Sequence, residues 1–98
     1  MGEFNRIKNA ISKLLKKEFG EEGLHGIRFL TPGEWSDRGE PYLCNSKLVM
    51  IFEENVIYGL LNYMEDKGKF YDKLWETMRN KGYYFELGNS WNLGIYEK

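Results

Sequence analysis

Leu48-Val49-Met50-Ile51-Phe52 is the one run of five consecutive apolar residues in this 98-residue chain. It is too short for a helix and rich in β-branched and aromatic side chains, so it predicts a central β-strand. Strand alternation sends Leu48, Met50 and Phe52 to one face and Val49 and Ile51 to the other. A strand that is apolar on both sides needs cover on both sides.

Working outward, the residues before it, Tyr42 to Cys44, are expected to begin another strand, broken from the central one by the turn-like Asn45-Ser46. After it the chain allows two readings. With Glu54-Asn55 as a tight turn, Val56 to Asn62 returns antiparallel, which suits Val56-Ile57 and Gly59. With Asn55 as an N-cap, Ile57, Leu60, Leu61 and Met64 form a helical stripe instead. The hairpin is the preferred reading.

Two amphipathic helices are expected. Phe4, Ile7, Ile11, Leu14, Leu15 and Phe19 follow helical spacing from about Glu3 to Phe19, with Gly20 as a stop. Phe70, Leu74, Trp75 and Met78 do the same from about Lys69 to Lys81, with Tyr71 at the margin and Gly82 at the C′ position. Between the first helix and the central strand, Ile27 to Leu30 reads as a short strand, and Thr31 to Pro41 as a long irregular segment holding both prolines. At the C-terminal side, Tyr83 to Leu87 and Trp91 to Tyr96 flank Gly88-Asn89-Ser90, a three-residue hairpin loop. That loop pairs Leu87 with Trp91, Phe85 with Leu93 and Tyr83 with Ile95, and lays Tyr84 beside Gly94. The expected fold is α+β: a single domain over 1–98, two helices on an antiparallel sheet of about five strands, in the order α-β-β-β-α-β-β.

Composition narrows the function classes. A formal net charge of -1, with 42% hydrophobic and 30% charged residues, is ordinary for a globular protein and excludes a uniformly basic binder. Charge is nevertheless uneven, for the first twenty residues carry five bases against two acids. Arg6, Lys13 and Lys17 align on the wet side of the first helix with Lys16 beside them, a face that could meet phosphate. Cys44 is the single cysteine and His25 the single histidine, so neither a disulfide nor a metal-ligand set is expected. No apolar run approaches a membrane span and the start lacks a signal-peptide core, so a cytoplasmic location is expected.

No catalytic set emerges. Ser36, Ser46 and Cys44 lack a motif-placed base, no glycine loop matches a phosphate cradle, and the adjacent Glu53-Glu54 do not form a facing acid and base. No enzyme activity and no cofactor are expected. Aromatics, however, reach 16%, with three tryptophans and seven tyrosines. Two helices cover one face of the sheet, which leaves Val49 and Ile51 looking out, with Tyr58 across the expected hairpin and Tyr84 and Tyr96 beside them. That face is expected to pair with itself in a homodimer, to receive a partner, or to be covered internally by the Thr31 to Pro41 segment and Trp35. The leading expectation is a small non-enzymatic binding protein of the inhibitor or adaptor type, such as mobile elements encode. Its contacts would be Trp35, Arg38, Val49, Ile51, Tyr58, Tyr84 and Tyr96. The alternatives are a nucleic-acid-binding module using Arg6, Lys13, Lys16 and Lys17, and a homodimeric structural domain.

Overall fold

The computed structural model describes residues 2–98. The apolar run forms β2 (Leu48–Ile51), and all four of its residues, together with Phe52, are buried. The sheet is antiparallel and four-stranded, in the order β1-β2-β4-β3, with β1 at Arg28–Leu30, β3 at Tyr83–Asn89 and β4 at Asn92–Glu97. Four helices accompany it: α1 (Glu3–Phe19), α2 (Pro32–Asp37), α3 (Ile57–Asn62) and α4 (Lys69–Arg79), with a 3-10 turn at Gly20–Leu24 after α1. The α+β class is as expected; the count of five strands is not.

α1 and α4 run antiparallel on one face. Phe19 meets Phe70 at 5.3 Å between ring centroids at one end, while Arg6, Ile7, Met78 and Lys81 share a hollow at the other. Their apolar stripes, Ile7, Ile11 and Leu15 on α1 and Phe70, Leu74 and Met78 on α4, close over Leu48, Met50, Phe52, Leu93 and Ile95. This part of the main core follows from helical and strand periodicity.

The expected strand over Val56 to Asn62 is a helix. Asn55, only 6% exposed, decides it. Its side-chain oxygen accepts from the Ile57 N–H at 3.0 Å, and its amide donates to the carbonyls of Gly23 at 3.0 Å and His25 at 2.7 Å. One side chain therefore starts α3 and ties it to the turn after α1, so Ile57, Leu60 and Leu61 enter the core as a helical stripe. Gly59 is tolerated in that helix because the Glu65 carboxylate lies where its Cβ would be.

The Thr31 to Pro41 segment is not irregular throughout. Thr31 and Glu34 form a reciprocal cap, with the Glu34 N–H donating to Thr31 Oγ1 at 3.1 Å and the Thr31 N–H to Glu34 Oε1 at 2.8 Å; Pro32 opens α2. The Thr31 backbone N–H, and after it the Thr31 side chain, hold the Glu34 carboxyl below the ordinary carboxylate range. Tyr42 to Cys44 is a turn, not a strand, and Leu43 takes a left-handed φ of 61° to drive its side chain inward.

The C-terminal hairpin exists, but its register is two residues from the expected one. Tyr83 faces Glu97, Phe85 faces Ile95 and Leu87 faces Leu93, with an irregularity between Leu87 and Asn89. Asn89 accepts from the Trp91 N–H and Asn92 from the Asn89 N–H, both at 3.1 Å, which tightens the connection to Ser90-Trp91. A slip of two preserves the faces, so Phe85, Leu93 and Ile95 still point into the main core. It does move Trp91 out of the expected pair with Leu87 and against Trp35, at 6.0 Å. Tyr84 consequently lies opposite Tyr96, and Gly94 opposite Glu86.

Candidate functional site

The second face of the sheet carries its own small core. Leu30, Trp35, Leu43, Val49 and Ile51 are buried together, with Tyr42, Trp91 and Tyr96 packed around them. Trp35 is 0% exposed, Val49 0% and Ile51 6%, so these three expected contact residues are internal; the chain covers the face with α2 and the turn after it. The Trp35 Nε1–H donates to the Tyr42 carbonyl at 2.6 Å, which satisfies the indole inside the cluster. Arg38 remains exposed, its guanidinium 5.1 Å from the Trp35 ring centroid and 6.0 Å from that of Trp91, as a cationic lid on the indoles. Tyr58 is on α3, half-buried, with its hydroxyl 3.4 Å from Ser90 Oγ. Of the expected face, Tyr84 and Tyr96 alone stay together as a half-buried pair, stacked at 5.4 Å and 20°.

A different feature is the outer edge of β3, which no described strand pairs. The Lys98 N–H donates to the Gly82 carbonyl at 2.9 Å, and in an antiparallel ladder the residues that exchange such bonds recur every second position. Tyr84 and Glu86 therefore bond to β4, and the N–H and C=O groups of Tyr83, Phe85 and Leu87 point away from the sheet. β3 is the last strand of the order, so among the described residues no strand lies beyond it. The opposite edge, β1, is three residues long and begins with the exposed Arg28, which blunts it. Between Tyr83 and Asn89 there is no lysine or proline, and Glu86 is the one charge.

Aromatics flank this edge on both faces. On the helical side Tyr71 and Trp75 stack on each other at 6.4 Å and meet the Phe85 ring edge-on at 5.1 Å and 5.3 Å. They lie on the flank of α4 away from α1, because Lys73 and Thr77 occupy the flank toward it, and so lie toward the strand's free side. Leu87 continues the same face, 38% exposed. On the other face stands Tyr84, backed by Tyr96, whose hydroxyl burial pushes above the usual phenol range. At the near end, the Tyr83 hydroxyl donates to Glu3 at 2.7 Å; this bond holds the Glu3 carboxyl low and pushes the Tyr83 phenol up.

The basic residues of α1 separate in space. Arg6, Lys13 and Lys17 line a trough of about 530 Å³ between α1 and α4, where Lys81, in the turn after α4, joins them; Lys16 is exposed outside it. The pairing of Lys81 with α1 bases, 64 or more positions away, is invisible in a single helical wheel. Among the described residues no group of three His, Cys, Asp or Glu side chains could hold a metal ion, and no helix is long and apolar enough to cross a membrane. Comparison with protein-family models, with curated proteins and with solved structures finds no match to this chain.

Proposed function

We propose that this is a non-enzymatic binding protein, of the inhibitor or adaptor type, that docks an extended segment of a protein partner on the free edge of β3. One observation carries the reading: three backbone N–H and C=O pairs, at Tyr83, Phe85 and Leu87, face away from the sheet on an edge that no described strand pairs, between Tyr71 and Trp75 on one face and Tyr84 on the other. An added strand would satisfy those groups, and its alternate side chains would settle on the two aromatic shelves. The partner segment is therefore apolar at every second position. Tyr84 and Tyr96 keep the role expected of them; Trp35, Val49 and Ile51 act from behind, as the core that holds the sheet.

Selection of linear twelve-residue peptides from a random display library on the immobilised protein tests this. The enriched peptides should alternate apolar and polar residues and slow exchange of the Tyr83, Phe85 and Leu87 amides. They should also lose at least about tenfold in affinity on Trp75→Ala or Leu87→Lys. Peptides that leave all three amides exchanging as in the free protein would refute the site.

Self-pairing is a second reading with an observation of its own. The outward-facing residues are symmetric about Phe85, so a two-fold axis there sets Tyr83 against Leu87 of a second copy and Tyr84 against Glu86, with no carboxylate facing its twin. Sedimentation equilibrium separates the two: twice the chain mass, abolished by Leu87→Lys, supports the homodimer, and a monomer at every concentration removes it.

A further inference from the structure

The trough between α1 and α4 gathers four basic side chains, and the edge-docking reading does not use it. Its lining includes Arg6, Lys13 and Lys17 from α1 and Lys81 from the turn after α4, and no carboxylate among the described residues. That is unusual in a chain with fifteen acids against fourteen bases. The carboxylates nearest its ends are already engaged. Glu18 pairs with Lys73 at 2.6 Å, and Glu3 accepts from the Tyr83 hydroxyl and faces Lys47 at 3.7 Å. Arg6 is held near that end by Glu3 and Tyr83. Lys13, Lys17 and Lys81 have no ion pair among the described residues. Like charges gathered from two separate elements repel one another, and a bound anion would relieve that repulsion.

We propose that this trough binds the phosphodiester backbone of a nucleic-acid strand without reading its sequence. From Arg6 to Lys17 the helix advances roughly 16 Å, long enough to lie along several consecutive backbone phosphates. The small side chains of Ala10 and Thr77 line the trough between the charged rows, so phosphates can settle between the helices. No aromatic side chain lines it, so bases have nothing to stack on, and the contacts fall on phosphate alone. The same absence argues against an acidic protein as the occupant, since protein interfaces draw their affinity chiefly from aromatic anchors, and Leu14 is the one large apolar side chain on the lining.

Fluorescence anisotropy of the whole protein with a labelled twelve-nucleotide oligothymidylate, and with a mixed-sequence strand of equal length, is the test. Both strands should bind equally within about twofold, and affinity should fall roughly 20- to 50-fold between 50 and 200 mM salt, as three or four neutralised phosphates require. Lys13→Gln combined with Lys17→Gln and Lys81→Gln should cost at least about tenfold, while Lys16→Gln stays within about twofold. Three results would overturn the proposal: equal loss on Lys16→Gln, binding of polyglutamate as tight as that of the strand, or displacement of the strand by equimolar tripolyphosphate. Circular dichroism of the triple variant confirms that its fold is retained.

Discussion

The two faces of the sheet are covered by different means. On the first, α1 and α4 lay down regular stripes, and the main core is a matter of apolar residues recurring every three or four positions. On the second, a six-residue helix and an irregular turn are pinned by particular polar groups. These are the Thr31 and Glu34 cap, the Trp35 indole on the Tyr42 carbonyl, and the Tyr42 hydroxyl, which accepts from Asn89 at 2.9 Å and Asn92 at 3.3 Å. Periodic cover spreads its stability over many similar contacts, whereas tethered cover concentrates it in a few.

That contrast is open to attack residue by residue. Trp35→Ala should do the most damage, about 3–5 kcal/mol in chemical denaturation, because it empties the centre of the smaller core and frees the Tyr42 carbonyl. If it costs less than Leu74→Ala in the main core, the second face is not held as described. Asn55→Ala should follow at about 2–3 kcal/mol, since it takes their donor from the buried Gly23 carbonyl and the part-buried His25 carbonyl, and removes the acceptor for the Ile57 N–H at the start of α3. Gly94→Ala should cost about 1–3 kcal/mol. Its Cβ would stand 3.1 Å from both Leu43 and Ser46, in the turn that lies across β4, and that turn is already strained at Leu43.

Thr31→Ala should be mildest, at about 1 kcal/mol, confined to α2. The Glu34 side of the same cap has a pH signature. Its carboxyl titrates lower folded than unfolded, so the contribution is present above the ordinary carboxylate range and is lost as pH falls through the lowered value. The Trp35 and Trp91 fluorescence should report loosening of the second face there, and Glu34→Gln should remove that acid-induced change.

How much of this was legible depends on which kind of cover is meant. The central strand, α1, α4 and the existence of the C-terminal hairpin follow from patterns within twenty residues. α3 does not, because the groups that make Asn55 a helix start are carbonyls 30 and 32 residues earlier in the chain. The hairpin register turned on side chains of Asn89 and Asn92 rather than on apolar pairing, which a two-residue slip leaves intact. α2 was within reach: Thr31-Pro32-Gly33-Glu34 carries the capping-box spacing, but Pro-Gly reads first as a turn. Counting two helices against two sheet faces left Val49 and Ile51 bare, and that count missed the short helix that shelters them. The site itself was half legible. Tyr84 and Tyr96 were visible as candidates, while the free side of β3 depends on strand order, and the meeting of Lys81 with Lys13 and Lys17 on helix packing.

The docking reading rests on the outer side of β3 being unpaired. Residue-resolved amide hydrogen exchange in the free monomer examines this directly. Tyr84 and Glu86, bonded to β4, should be protected, and Tyr83, Phe85 and Leu87 should exchange fast. Equal protection across all five amides in a chain of monomeric mass would mean the edge is already covered.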